Sequence, residues 1–271
     1  QYDWYRNLLP FNNFLKFRAS WGRVGNDRLK DENGNDIRFP YLTTLGNVSS
    51  TWGTGLAENR TGSMNLKWEV STKTNFGIDA RFFDDKVDMT VDFFHTKTTD
   101  IFQRRANIPD EGGLSNVLPY ANIGSMKSWG MDGTLAYTHT FNKDMALTVR
   151  GNFTHAENEV IYWEQSGVNY PYQSNSGVPY KVQRGLIALG LFKDEDDIKS
   201  SPKQTFMDNY RPGDIKYKDV NGDGKIDKDD VVPLNYSAVP FIQYGFALDW
   251  NYKAFRVSIL FEGVSKVQYF Q

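Results

Sequence analysis

No cysteine occurs among these 271 residues, so thiol catalysis, disulfide staples and cysteine-based zinc sites are excluded. The absence leaves the compartment open, because exported proteins can also do without cysteine. Charge of one sign is not in excess either: 31 Lys and Arg face 33 Asp and Glu, a formal net charge of −2. A nucleic-acid or anionic-membrane partner calls for a clustered basic surplus, and the balance gives no sign of one. Long hydrophobic runs are missing as well. No window approaches the ~18 apolar residues of a membrane-spanning helix, and mean hydropathy is −0.57. A helical membrane protein is thereby excluded. A transmembrane β-barrel is not, because its lipid-facing residues alternate with polar ones and keep the average low. The opening QYDWYRNLLPFNNF has neither the basic nor the apolar region of an export signal, so any such signal is expected upstream. The closing VSILFEGVSKVQYFQ is strand-like to its end, and the chain is expected to be a piece of a longer one.

What the sequence has in abundance is aromatic side chains, 15% of the total, and a period of two. Phe76, Ile78, Ala80 and Phe82 share one face of an extended run, with Asn75, Gly77, Asp79 and Arg81 on the other. After Asp84 and Asp85 the pattern restarts, Val87, Met89, Val91 and Phe93 against Asp88, Thr90 and Asp92. Two alternating runs joined by a tight turn predict a β-hairpin. The device recurs around Asn142-Lys143-Asp144 and around Lys253-Ala254, and Leu15, Phe17, Ala19 and Trp21 form a further stripe opposed by Lys16, Arg18 and Ser20. About eight strands are expected. Runs of about ten residues match the ~9–11 that cross a bilayer when tilted. Between hairpins lie long Gly-, Asn- and Ser-rich segments, 24–65, 103–125 and 160–240. Short turns on one side and long loops on the other are the outer-membrane barrel pattern, and loops of that length are uncommon in compact soluble domains. A soluble sandwich also alternates, with its apolar faces packed together. Where the apolar stripes point separates the two.

DVNGDGKIDKDD, residues 219–230, has the order of a calcium loop. Asp219, Asn221 and Asp223 occupy its first, third and fifth positions, Gly224 the sixth, Lys225 the seventh (through its backbone carbonyl) and Asp230 the twelfth. Hard Ca²⁺ takes oxygen donors, and this alternation turns three side chains into one cup. The preceding YRPGDIKYK excludes the helix of an EF-hand, and Asp replaces the usual Glu at position twelve. The alternative is a solvated, metal-free cluster of Asx turns with glycine at the positive-φ positions. Elsewhere His95, His139 and His155 lack ligand spacing and are expected to be solvated or interfacial. The run Asp194, Glu195, Asp196, Asp197 is expected to be a loop or the first turn of a short helix. Trp68 and Trp129 are expected at strand ends in interfacial girdles, while Tyr162, Trp163, Tyr170 and Tyr172 belong to loops, where rings stack on sugars or face a partner. Trp4, Tyr5 and Trp52 have the same two plausible roles. No nucleophile-elbow, Walker or Rossmann signature is present, and no catalytic residue is assigned.

Four segments resemble the SusC/RagA-type TonB-dependent transporters of the Bacteroidota outer membrane: NLKWEVSTKTNFGIDARFFDDKVDMTVDFFHTKTTDIF (65–102), YANIGSMKSWGMDGTLAY (120–137), GLFKDEDDIKSSP with PGDIKYKDVNGDGKIDKDD (190–202 and 212–230), and YGFALDWNYKAFRVSILFEG (244–263). Their order and spacing match across most of the chain, although Ala238-Val239-Pro240-Phe241 departs from the family's more frequent glycine before the proline. The resemblance implies an all-β fold, residues 1–271 being the C-terminal part of an antiparallel transmembrane barrel of about 22 strands. The plug, the TonB-contacting box and the last strands are expected outside this chain. It further implies a non-enzymatic importer in a Gram-negative outer membrane, driven through TonB–ExbB–ExbD and capped by a SusD-like surface lipoprotein. Oligosaccharides or peptides are the implied substrates, and a structural Ca²⁺ at 219–230 would stiffen an extracellular loop. The runner-up from the residues alone is a soluble, calcium-stabilised β-sandwich that binds carbohydrate or serves an adhesin.

Overall fold

A computed structural model describes residues 12–30, 34–51, 53–108 and 117–268. The expectations for Trp4, Tyr5 and Trp52 lie outside the described residues. Seven strands run side by side, against the eight or so expected: β1 (Asn12–Asn26), β4 (Glu69–Phe82), β5 (Val87–Arg104), β6 (Tyr120–Asn142), β7 (Met145–Tyr162), β14 (Ile242–Tyr252) and β15 (Phe255–Ser265). They form one antiparallel sheet in that order, open at β1 and β15. The remaining extended pieces pair among themselves inside the long connections. β2 (Thr44–Ser50) and β3 (Gly53–Arg60) make a hairpin, while β8 (Val182–Gly185) meets β13 (Val232–Ser237). β9 (Ala188–Leu191) meets β11 (Ile215–Tyr217), and β10 (Lys203–Gln204) runs parallel to β12 (Lys225–Ile226).

All three tight turns fall where the alternation breaks. Asp84 and Asp85 take φ of +56° and +62°, the left-handed region that aspartate tolerates better than most residues. Asn142 Oδ1 accepts the Asp144 N–H at 2.9 Å, an Asx turn that brings β6 round into β7.

The strands are longer than the sequence suggested. β6 has 23 residues, roughly 75 Å of chain at ~3.4 Å per residue, against a hydrocarbon layer of ~30 Å. Register shows how that length divides. Near the tight turns one lateral row of the apolar face reads Phe82, Val87, Tyr137, Val149, Leu248, Ile259. Eight residues further from the turns the row reads Trp21, Thr74, His95, Trp129, Glu157. Beyond it Lys127 and Glu159 stand on the same face, ion-paired at 3.0 Å. The apolar stripe therefore stops after about nine positions, the length a tilted strand needs to cross a bilayer. Trp129, expected at a strand end, is not at one. It lies inside β6 but at the edge of the stripe, because the strand continues into a polar region.

That face is exposed: Phe17 retains 62% of its accessible surface, Trp21 69% and Phe261 61%. The buried apolar side chains lie elsewhere. Among the described residues, Phe102, Val160, Phe192, Ile226, Val232 and Phe241 belong to the strand ends away from the tight turns and to the connecting segments, and Ala80 alone comes from the striped region. The described core is thus a layer at the long-loop end, and the apolar stripes of the sheet do not pack face to face. The sandwich arrangement is not adopted.

Candidate functional site

On the polar face, position by position, charges meet across the strands. Arg18 of β1 lies opposite Gly77 of β4, which lies opposite Asp92 of β5. With no side chain at Gly77 in the way, the guanidinium crosses β4. It donates to Asp79 at 2.9 Å twice and to Asp92 at 2.8 and 2.7 Å. A Cβ at residue 77 would stand 2.7 Å from the Arg18 guanidinium carbon and collide with the Asp92 carboxylate. A second node sits near the turns, where Asp249, 5% exposed, accepts from Arg150 and, at 2.5 Å, from Ser258. These contacts tie six strands in two groups, β1 with β4 and β5 and β7 with β14 and β15, on the face opposite the apolar stripe.

The segment between β7 and β14 carries the 219–230 loop, and its flanks are strands and a 3₁₀ turn, not helices. Asp219 accepts the N–H of Gly222 at 2.6 Å on Oδ1 and of Gly224 at 2.8 Å on Oδ2. Asn221 Oδ1 accepts from Asp223 at 3.0 Å, and Asp223 Oδ1 from Lys225 at 2.9 Å. Gly222 and Gly224 take φ of +77° and +83°, which the tight curl requires. Asp230, fully buried, accepts from Val220 at 2.7 Å and from Asp227 at 2.9 Å, so the twelfth residue closes the loop onto its second. The β10–β12 bonds use the carbonyls of Gly224 and Ile226, which turns the Lys225 carbonyl the other way. Ile226, also fully buried, anchors the loop in its own small layer. All five sequence-predicted residues, Asp219, Asn221, Asp223, Lys225 and Asp230, thus belong to one curled loop. The donors suit a hard cation in kind and in order. Among the described residues, however, no three His, Cys, Asp or Glu side chains stand close enough to form a ready metal cluster, so closing the cup requires the carboxylates to draw together.

Sequence reasoning missed what braces this loop. Tyr172 donates from its hydroxyl to the Asp229 carbonyl at 2.6 Å, Gln173 Nε2 reaches Asp229 Oδ1 at 3.3 Å, and Asn221 Nδ2 reaches the Tyr170 hydroxyl at 3.3 Å. The two tyrosine rings stack 5.3 Å apart and nearly parallel. Burial, with the neighbouring Tyr170 and aspartates, pushes the Tyr172 phenol up, which keeps it a donor. Partners some fifty residues apart leave no local signal. The acidic run 194–197 resolves into a helix start: Asp194 caps α1 (Glu195–Ser200), accepting from Asp196 and Asp197. His155 pairs with Glu157 at 2.9 Å, His139 lies between Tyr137 and Phe141, and His95 is exposed.

A cavity of about 660 Å³ opens where β5, β6 and β7 end, far from the tight turns. At its wall the 3%-exposed Glu164 carboxylate holds Arg105 Nε at 2.7 Å and the N–H groups of Asn107 and Ala106 at 2.7 and 3.3 Å. Burial pushes this carboxyl up, and the three donors outweigh it, leaving the group below its ordinary value.

Residues 2–269 match a family model described as TonB dependent receptor-like, beta-barrel. The chain is 30% identical to TonB-dependent receptor P39 of Formosa agariphila, covering 93% of itself and 27% of that protein. It is 28% identical to TonB-dependent receptor P26 of the same organism, covering 92% and 25%. It is 25% identical to TonB-dependent receptor SusC of Bacteroides thetaiotaomicron, covering 80% and 21%. Its fold superimposes on a chain of the RagAB peptide importer in an open-open state with a TM-score of 0.69 at 22% identity, covering 95% of itself and 26% of that chain. The chain therefore spans about a quarter of the length of these relatives.

Proposed function

Because the chain belongs to the TonB-dependent receptor-like β-barrel family, we propose that it supplies part of the wall and surface loops of an outer-membrane nutrient importer. The observation that carries the reading is the exposed apolar stripe, about nine positions tall, on a single open sheet. An exposed apolar face of this extent is unstable in water, and its height suits lipid. Aromatic rings at both margins, Trp21 and Trp129 on one side and Tyr137, Trp250 and Tyr252 on the other, suit the two interfaces. In this reading the Arg18 and Asp249 networks face the lumen, where charge is solvated. Long strand ends and loops stand outside the cell, where a SusD-like lipoprotein closes over an oligosaccharide or peptide. Energy reaches the barrel through TonB–ExbB–ExbD. The work is transport, not bond chemistry, and no constellation of side chains is assigned to catalysis.

Calcium belongs to the same proposal. Bound Ca²⁺ would neutralise the carboxylates of Asp219, Asp223 and Asp230 and accept oxygen from Asn221 and the Lys225 carbonyl, as a structural ion. The chain's own residues already curl the loop and brace it through Tyr172 and Gln173, and Ile226 seats it.

The test is gel migration of the full-length protein, extracted from outer membranes in detergent, before and after boiling. A closed barrel resists SDS and runs faster unboiled. A chain that stays soluble without detergent and runs identically in both lanes overturns the reading.

A further inference from the structure

We propose that the cavity at the ends of β5, β6 and β7 reads a carboxylate-bearing unit of the substrate. The inference rests on the import reading for its purpose and on the cavity alone for its chemistry. At about 660 Å³ the space lies within the ~300–1,000 Å³ usual for small-ligand sites. Among the described residues that line it, Lys30, Arg104, Arg105 and Lys181 are cationic and Glu164 is the one carboxylate. That carboxylate is already committed to Arg105 and to two backbone N–H groups, so it offers nothing to an incoming cation. Among the described lining residues the surplus charge is positive even with Arg104 set aside, since Lys30 and Lys181 remain, and the complementary ligand group is an anion.

Ring faces supply the second half of the recognition. Phe102 and Tyr120 stack 4.8 Å apart at 5°, and Trp163 and Tyr180 lie 6.2 Å apart at 51°, with Lys181 Nζ 5.5 Å from the Tyr180 ring. A cation beside an aromatic face suits a ligand with a hydrophobic ring or chain and a charged substituent. The third element is Gln103. It is 4% exposed and donates from Nε2 to the Glu164 carbonyl at 3.3 Å, yet its Oε1 has no partner among the described residues. A buried acceptor without a donor is costly, and because Gln103 lines the cavity, a ligand hydroxyl or N–H beside the carboxylate is the donor it lacks. Carboxylate, adjoining donor and apolar face together describe a uronic-acid residue of an oligosaccharide or an acidic residue of a peptide. A neutral sugar leaves the cationic surplus unused.

The test uses the full-length receptor in detergent and calorimetry at low salt. Two matched pairs of probes are titrated: tri-galacturonate with its carboxyl-reduced counterpart, and a Glu-containing tripeptide with its Gln counterpart. In at least one pair the carboxylate form is expected to bind about tenfold tighter, and the preference is expected to shrink as salt rises. The double substitution Lys30→Met and Lys181→Met is expected to abolish the preference while the unboiled, SDS-resistant band persists. Preference in the sugar pair alone assigns an acidic saccharide, and in the peptide pair alone an acidic peptide. Equal affinity within both pairs, absence of binding, or a preference that survives the double substitution overturns the proposal. Uptake by cells separates it from the import reading. A receptor that carries neutral ligands without acid preference sinks the carboxylate site alone, whereas one that binds the acids but carries nothing inward sinks import alone.

Discussion

At the scale of single residues, Gly77 shows how a position can look like a weakness in a strand and be the reason a network exists. Glycine within a strand gives up packing, but here its missing side chain is the path by which Arg18 reaches Asp92. Gly77→Ala is expected to displace the guanidinium and destabilise the wall by about 1–3 kcal/mol, the usual cost of overpacking. The unboiled folded band should then be lost at lower temperature than in the wild type. An unchanged melting point would mean the clamp contributes nothing. The alternation of Arg18, Gly77, Asp79 and Asp92 was plain in the sequence. Their meeting was not, because it depends on register between strands some sixty residues apart. Glu164 offers a pH test. Its folded value lies below the ordinary 4.5, so its contribution is complete above that pH and is lost as pH falls through the lower folded value. Fluorescence of the adjacent Trp163 is expected to change in acid in the wild type, and this step should be missing in Glu164→Gln. A step that persists in the variant assigns it to another group.

At the scale of elements, period two placed all three hairpin turns but undercounted the strands' length. Alternation of apolar with polar ends where the apolar stripe ends, yet hydrogen bonding continues through His95, Lys97, Lys127 and Glu159 as a polar ribbon. Nothing in residue type marks that continuation. The calcium-loop order was legible because its donors are local, while its brace through Tyr170, Tyr172 and Gln173 was not. These two layers respond differently to substitution. In the full-length protein, Ca²⁺ is expected to slow tryptic cleavage within 163–241 and a chelator to reverse the effect. Asp219→Ala with Asp223→Ala should abolish the calcium response. Asp230→Ala should loosen the segment with or without calcium, since it orphans the N–H groups of Val220 and Asp227 at about 1–3 kcal/mol for each buried donor. Calorimetry showing no calcium affinity below millimolar would overturn the structural ion and leave the loop as Asx turns alone.

At the scale of the whole molecule, the described residues invert the usual plan of a water-soluble domain. The seven-stranded sheet carries its apolar face outward and exposed, its polar face holds the ion pairs, and the buried apolar side chains gather at the long-loop end. Hydrophobic burial, the main drive for folding in water, is therefore almost absent from the wall itself. What replaces it in a barrel is ring closure, which pairs every strand edge, together with lipid on the apolar face. Neither is supplied by these seven strands alone. β1 and β15 present unpaired edges of 15 and 11 residues, and exposed edges of that length invite pairing with other chains. Residues 12–268 expressed alone in water are accordingly expected to aggregate or to lose structure gradually on heating, with no cooperative transition in circular dichroism. The full-length receptor in detergent should unfold sharply. If the isolated segment melts in one steep, reversible step as a soluble monomer, its stability comes from contacts within the loop layer, and the dependence of the wall on closure and lipid is wrong.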